Sequence, residues 1–259
     1  MQISRIVGLL MITGCTLVGG VDDPASPTSI APPDTVLVTS VVDGDSFRSE
    51  DKEFRLFGIN APEQDECYGD VSHQWLTDWI ADREVAVVPQ GVDQFDRIVA
   101  DIFVGTTSIS REATATGHAF ALSDTRATLL DREMAAMEAR LGLWGDDICG
   151  ATGEMAKVTI EEIDFNPPGN DSTELVVLGN PSAAPVNLNG FVLRDESSIN
   201  RFSFPELVLA PGDTVVVTTA CAPSGDALPW CTDQPVWNND GDAVIVLDGF
   251  GRVVAFRRY

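Results

Sequence analysis

The sequence predicts an α+β domain followed by an all-β domain, and three observations carry that prediction. Residues 35–150 mix strand-like runs with segments whose apolar residues recur every three to four positions. After Gly150-Ala151-Thr152-Gly153 only short β-rich runs remain, separated by Gly, Pro, Asn and Asp. A length of 259 residues with 44% hydrophobic content is enough for two domains of ordinary size, each with its own core.

The amino terminus comes first. Arg5 precedes an apolar stretch, Ile6 to Ile12, that is too short to span a bilayer and reads as an export signal. The following Ile12-Thr13-Gly14-Cys15 resembles the bacterial lipobox, which implies lipidation of Cys15 and a lipid anchor. The simpler alternative is a plain secretory signal with a chance Cys. Residues 1–15 are therefore the expected signal. Residues 16–34, rich in Gly, Pro, Ser, Thr and Asp without apolar periodicity, are the expected tether.

The first domain is expected over 35–150. Val36 to Val42 and Glu53 to Ile59 read as strands, and Ser72 to Ala81 as a helix through Trp75, Leu76, Trp79 and Ile80. Val85–Val88 and Ile98–Val104 return to strand character, and Ser110–His118 is short and helical. Ala127 to Leu141 is the clearest helix: Leu130, Met134, Met137 and Leu141 share a face, Asp124 or Thr125 can cap the start, and Gly142 can end it. Strands followed by helices suit a small barrel with flanking helices. The second domain, expected over 156–259, offers seven short strands: Val158–Ile163, Glu174–Leu178, Val186–Phe191, Arg201–Phe204, Thr214–Thr219, Ala243–Leu247 and Val253–Phe256. That count with intervening turns predicts a β-sandwich.

Charge narrows the function. Forty acidic residues against 16 basic ones give a net charge of −24, and the chain holds two lysines, Lys52 and Lys157. Nonspecific grip on a phosphate backbone normally comes from Lys and Arg, so any nucleic-acid substrate would be held weakly and divalent cations would be needed to screen repulsion. Solubility in a salty medium is the simpler account of the acidity. Apart from Cys15 there are four cysteines, and in an exported chain an even number suggests disulfides. Of the three possible pairings the within-domain one is preferred, Cys67 with Cys149 and Cys221 with Cys231.

Three short motifs carry the chemistry: Val42-Asp43-Gly44-Asp45-Ser46, Phe54-Arg55-Leu56-Phe57-Gly58-Ile59-Asn60-Ala61-Pro62-Glu63, and Asp93-Gln94-Phe95-Asp96-Arg97. Together they supply a carboxylate for a hard cation, a second for work on water, and two guanidinium groups. These are the charges that phosphodiester hydrolysis requires. In set and order the motifs resemble the thermonuclease, or staphylococcal-nuclease-like, family. The resemblance implies an OB-like five-stranded barrel, a Ca²⁺ site at Asp45, Asn60 and the Ala61 carbonyl, Glu63 as general base, and Arg55 and Arg97 as phosphate-binding cations. Asn60 departs from the Asp more usual in the family, so weaker metal binding is expected. Each residue also has a plainer reading: Asp43-Gly44-Asp45 as a hairpin turn, Glu63 as an exposed loop residue, and Arg97 in a salt bridge with Asp93, Asp96 or Asp101.

In the second half, Ile160–Gly169, Glu174–Pro181, Leu188–Asp195, Leu209–Asp213 and Trp237–Asp242 resemble, in order, a lamin tail domain, which implies an immunoglobulin-like sandwich. No nucleophile, acid pair or ligand cluster emerges there. Asn238-Asn239-Asp240-Gly241-Asp242 reads as a turn, and Arg257-Arg258 is too little for a nucleic-acid patch. Phe95 and Phe120 are expected in the core, with base stacking as the functional alternative. His118 is expected to be solvated or capping.

The leading expectation is an exported, Ca²⁺-dependent endonuclease acting on DNA, with RNA as a substrate left open, lipid-anchored at the bacterial cell surface and monomeric, with the lamin tail partner open. The rival is a degenerate barrel that serves with the second domain as a surface binding or adhesion module. A third reading is a nuclease narrowed to short or damaged substrates.

Overall fold

The computed structural model describes residues 34–123, 125–151, 154–168, 173–232 and 234–259. The export signal, Cys15 and all but the last residue of the tether lie outside them. Among the described residues no helix is long and apolar enough to cross a membrane.

The first half is built on one curled, half-barrel sheet. Its early strands are β1 (Asp34–Leu37), β2 (Ser40–Val41), β3 (Ser46–Ser49), β4 (Lys52–Leu56) and the two-residue β5 (Ile59–Asn60). Helix α1 (Gly69–Ile80) follows, then β6 (Glu84–Val92), β7 (Ile98–Val104), β8 (Thr107–Ser108), α2 (Ile109–Ala115), β9 (Phe120–Ala121) and α3 (Ala127–Glu138). The sheet order is β1-β6-β7-β4-β3-β2, with β8 added on β7 and with β4 and β7 parallel. Alternation along β4 decides what faces where. Phe54 and Leu56 enter the core with Phe47, Ile59, Leu76, Ile80 and Ile102, while Arg55 points to the opposite face.

The second half contributes β10 (Thr159–Asp164), β11 (Leu175–Gly179), β12 (Val186–Asn187), β13 (Val192–Arg194), β14 (Arg201–Ser203) and β15 (Val208–Leu209). It closes with β16 (Thr214–Thr218), β17 (Leu228–Pro229), β18 (Ala243–Leu247) and β19 (Val253–Arg258). Two four-stranded sheets, β10-β11-β16-β17 and β14-β13-β18-β19, enclose a core that includes Leu178, Leu188, Leu193, Val217, Trp237 and Val246.

Several expected boundaries move, each for a local reason. The run Val36–Val42 is two strands, because Val38 turns into the core and its N–H donates to the Arg83 carbonyl at 2.9 Å. The Glu53–Ile59 run stops at Leu56, where the Phe57-Gly58 turn intervenes. Val186–Phe191 is a two-residue strand and then a turn closed by Phe191 N–H on the Leu188 carbonyl at 2.9 Å. Helix α3 has Arg126 as its N-cap and no side-chain cap; Asp124 lies outside the described residues. Its inward face is Leu129, Glu133 and Ala136, whereas Met134 and Leu141 are exposed. Leu130 and Met137 of the expected stripe are half-buried against the cores, but the centre of the inward face lies elsewhere, because the helix buries a carboxylate that periodicity counts as a solvent-facing residue.

That carboxylate belongs to a third core that joins the two halves. Phe120, Ala136, Leu143 and Trp144 pack with Ala243, Ile245 and Leu247, and Trp144 takes Phe120 and Phe256 edge-on at 5.4 and 5.1 Å. Each fully buried side chain of this size contributes roughly 1.5–3 kcal/mol, so the halves are held firmly. Through this layer β19 delivers Arg258. One end of its guanidinium donates to Glu133 Oε2 at 2.7 Å and the Ala121 carbonyl at 2.8 Å. The other donates to Glu196 Oε2 at 2.8 Å and to Ser123 Oγ. Burial raises the Glu133 carboxyl above its ordinary range, and Arg258 opposes that rise.

Candidate active site

The site is assembled where the turn between β2 and β3, the end of β4 and the segment after β5 meet. Gly44 is required for that meeting: a Cβ there would lie 2.7 Å from the Cβ atoms of both Ala61 and Ser72. The turn is closed by Asp45 N–H on Asp43 Oδ1 at 2.9 Å, and the Leu56 N–H then donates to the Asp45 carbonyl at 2.8 Å. Asp45 is consequently buried with its carboxylate directed at three donors. Oδ1 accepts from Arg55 Nη1 at 2.5 Å and Ser46 Oγ at 2.8 Å, and Oδ2 accepts from the Ala61 N–H at 2.9 Å. The second Arg55 nitrogen donates to Asn60 Oδ1 at 2.8 Å and to the Ile59 carbonyl at 3.2 Å. A guanidinium can only donate, so the amide oxygen of Asn60 must face Arg55. Its nitrogen then donates to the Glu196 carbonyl at 3.1 Å.

Arg97 arrives from the other side. After a bulge in β6 between Pro89 and Gly91, the chain turns through Asp93–Arg97. Asp93 Oδ1 accepts the Phe95 and Arg97 N–H groups at 2.9 and 3.0 Å, and Oδ2 pairs with Arg97 Nε at 2.8 Å. Burial works against ionisation of Asp93, but the backbone and side-chain hydrogen bonds from Arg97 outweigh it and hold the carboxyl below its usual range. Tethered by Nε, Arg97 brings Nη1 to 3.4 Å from Ser46 Oγ, one residue from Asp45. The salt bridge and the site position are both present, since they use different ends of the guanidinium. Phe95 is 62% exposed and lies 5.2 Å from the Arg97 guanidinium. The core placement expected for it is overturned, while Phe120 is in the core between the halves.

Glu63 sits past Pro62 on a loop laid over the start of α1. A Cβ on Gly69 would overlap the Glu63 carbonyl, so the loop backbone lies directly against the first residue of the helix. Glu63 N–H donates to Glu66 Oε2 at 3.0 Å, and Glu63 Oε1 accepts from Ser198 Oγ of the second half at 2.8 Å. The loop is further pinned by a disulfide between Cys67 and Cys149, with Cα atoms 5.4 Å apart; Cys221 and Cys231 form the second.

The concentration of negative charge shows in Asp43. Burial and then the Asp45 carboxylate push its carboxyl up to about 6, Glu63 adds to the rise, and Arg55 counteracts it. The donor set suits a hard divalent cation: it is all oxygen, in excess negative charge, and among the described residues Asp45 Oδ2 and Asn60 Oδ1 each accept one hydrogen bond. Among the described residues no three His, Cys, Asp or Glu side chains converge as a ready-made cage, so the set depends on Asn60 and a backbone carbonyl.

Residues 53–146 match the family model described as staphylococcal nuclease homologue, and residues 152–259 match that of the lamin tail domain. The chain joins a staphylococcal nuclease homologue domain to a lamin tail domain. A probable staphylococcal-like nuclease of Oryza sativa subsp. japonica is 40% identical over 97 residues, which are 37% of this chain and 20% of that protein. A probable endonuclease of Komagataella phaffii is 30% identical over 109 residues, covering 35% of this chain and 48% of its own length. The micrococcal nuclease of Shigella flexneri is 27% identical over 126 residues, 42% of this chain and 72% of that protein. The chain thus spans a fifth to about half the length of the first two relatives.

Of the residues expected from the sequence, the structure joins Asp45, Arg55, Asn60 and Ala61 by hydrogen bonds, brings Arg97 to Ser46 beside them, and sets Glu63 where its charge acts on Asp43. Sequence reasoning missed the lamin tail residues at the same place: Ser198, the Glu196 carbonyl, and Arg201, which pairs with Glu66. Nothing local signals them, because each acts across more than a hundred positions of sequence. His118 also departs from expectation. It stacks on Trp75 at 4.9 Å beside Tyr68, and burial lowers it to about 4, so it is a neutral packing residue.

Proposed function

We propose that this protein is an endonuclease that hydrolyses phosphodiester bonds of DNA and RNA with Ca²⁺, exported and lipid-anchored through Cys15 at the bacterial surface. The observation that carries the hydrolytic part is that Arg55 bonds the Asp45 carboxylate, Arg97 reaches Ser46 beside it and Glu63 adds its charge to the neighbouring Asp43, in a chain whose named relatives are nucleases. Asp45, the Asn60 amide oxygen and the Ala61 carbonyl would hold the cation, which when bound would supply Lewis-acid stabilisation and offset the charge of the phosphate. Glu63 accepts a proton from water attacking phosphorus in line with the leaving oxygen. Arg97 meets the charge that develops on the phosphoryl oxygens, and Arg55 joins it from the floor of the site. The exposed Phe95 ring beside Arg97 offers a base a stacking surface.

Export and anchoring rest on the Arg5–Cys15 pattern alone, and radiolabelled palmitate incorporation that is lost in Cys15→Ala tests them. Cleavage of single-stranded DNA in millimolar Ca²⁺, abolished by chelator and by Glu63→Ala, tests the hydrolysis. A silent barrel acting as a binding module is favoured by one observation. Arg55 already bonds the Asp45 and Asn60 oxygens that a cation would use. Absence of cleavage by folded protein across metals and substrates would select that reading.

A further inference from the structure

The side chain read as general base is held by the other domain. Glu63 Oε1 accepts the Ser198 hydroxyl at 2.8 Å, and Ser198 belongs to the loop between β13 and β14 of the lamin tail domain. That loop is built to keep one shape. Asp195 Oδ1 accepts the Ser197 N–H at 3.0 Å and its hydroxyl at 2.7 Å, and Asp195 Oδ2 accepts Asn200 Nδ2 at 2.7 Å. Glu196 fixes the loop to what lies beneath it. Its N–H donates to Asp242 Oδ1 at 3.2 Å, and its carboxylate takes the Ser123 N–H and Arg258. Its carbonyl accepts Asn60 Nδ2. On the far side of Ser198, Arg201 pairs with Glu66, whose Oε2 in turn accepts the Glu63 N–H at 3.0 Å. Backbone and carboxylate of Glu63 are therefore both located by contacts that end in the lamin tail domain.

We propose that the lamin tail domain completes the active site of the nuclease domain in cis, with Ser198 as the positioning residue for Glu63. The chemistry favours this use of a hydroxyl. A glutamate side chain has three rotatable bonds, and a base must be placed within about 0.5 Å of its productive position. A serine has a single proton to give, so it fixes one carboxylate oxygen. Glu63 Oε2 takes no hydrogen bond among the described residues and is left to accept from water. A cleft of about 530 Å³ opens here between the domains, lined by Glu63, Glu66, Ser198 and Arg201 among others. The same clamp accounts for Asn60: an amide can accept from Arg55 and donate to the Glu196 carbonyl at once, which a carboxylate cannot.

The inference rests on the nuclease reading, and the test separates the two. Steady-state cleavage of a single-stranded DNA oligonucleotide is measured for wild type, Glu63→Gln, Ser198→Ala and Ser198→Thr, each with its melting temperature. Ser198→Ala is expected to lower kcat by roughly ten- to a hundredfold with KM and melting temperature unchanged. Ser198→Thr, which keeps the hydroxyl, should retain most of kcat, and Ser198→Ala should add no further loss to Glu63→Gln. Active wild type with Ser198→Ala equal to it in kcat would overturn the proposal and leave the nuclease reading standing. A rise in kcat would overturn it too, marking the loop as a brake. Should Ser198→Ala melt early, the Thr variant decides: full activity supports the proposal, and a loss equal to that of Ala at wild-type melting temperature overturns it. A wild type that cleaves nothing would overturn both readings together.

Discussion

Arg97 and Arg258 are almost equally exposed, at 19% and 17% of their side chains, yet they do opposite things. Both nitrogens at the tip of Arg258 are engaged, by two carboxylates, a carbonyl and a hydroxyl. Arg97 is held by Nε to Asp93, and among the described residues its tip has one polar contact, at 3.4 Å with Ser46, beside the Phe95 ring. Burial would not tell the two apart; the number of acceptors does. An arginine saturated by its own protein is part of the framework, and one anchored at the neck with its tip unfilled is positioned for a ligand.

That contrast can be broken by two substitutions. Arg97→Ala should lower kcat by about 10³–10⁵-fold, equivalent to about 4–7 kcal/mol in the barrier, and leave the melting temperature near wild type. Cleavage assays with a parallel thermal melt check this; an early melt would show that Arg97 is framework after all. Arg258→Ala should do the reverse. It leaves Glu133, 2% exposed, and Glu196 without their cation, at an expected loss of about 3–5 kcal/mol in stability, read by urea unfolding. A stability within experimental error of wild type would mean that the packed layer of Phe120, Trp144 and Ile245 holds the domains without it.

Legibility followed the same division. Asp45, Arg55, Glu63 and Arg97 were legible as a set, because their motifs and order resemble the thermonuclease family; taken singly, the Asp43-Gly44-Asp45 turn and Glu63 read as a hairpin and a loop residue, and strand alternation alone turns Arg55 away from Phe54 and Leu56. The two-domain plan was legible from the change in hydrophobic period near residue 150. Glu133 was not, because periodicity has no means of marking a carboxylate that faces inward to meet an arginine 125 residues away. Arg258 looked like half of a weak basic tail for the same reason. Phe95 resembled a core residue because an aromatic ring in a short motif gives no sign of whether a turn carries it outward.

Asn60 sharpens the comparison, since it joins the site to the framework. Asn60→Asp would add charge beside Arg55 but would remove the donor to the Glu196 carbonyl and set a carboxylate against it. In chelator, where no cation offsets the repulsion, stability is expected to fall by about 1–2 kcal/mol. An unchanged unfolding midpoint would mean that the amide is not a tie between the domains.

The smallest expected effect concerns the packing behind the site. His118 stacks on Trp75, its Nδ1 lies 2.9 Å from Thr116 Oγ1, and burial lowers it from 6.5 to about 4. In that interval the unfolded chain binds a proton that the folded one refuses, so stability rises with pH there. The contribution of neutral His118 is complete above about pH 6.5 and is lost as the pH falls towards 4. Because the ring is only half-buried, we expect about 1 kcal/mol from this source. Urea unfolding at a series of pH values should show the slope in wild type and a flatter curve in His118→Phe, which keeps the stacking on Trp75 and cannot take a proton. An identical slope in the two proteins would overturn this account of the acid sensitivity; Asp43 and Asp242 would not supply it either, because burial raises both groups and their stability contribution changes with pH in the opposite sense.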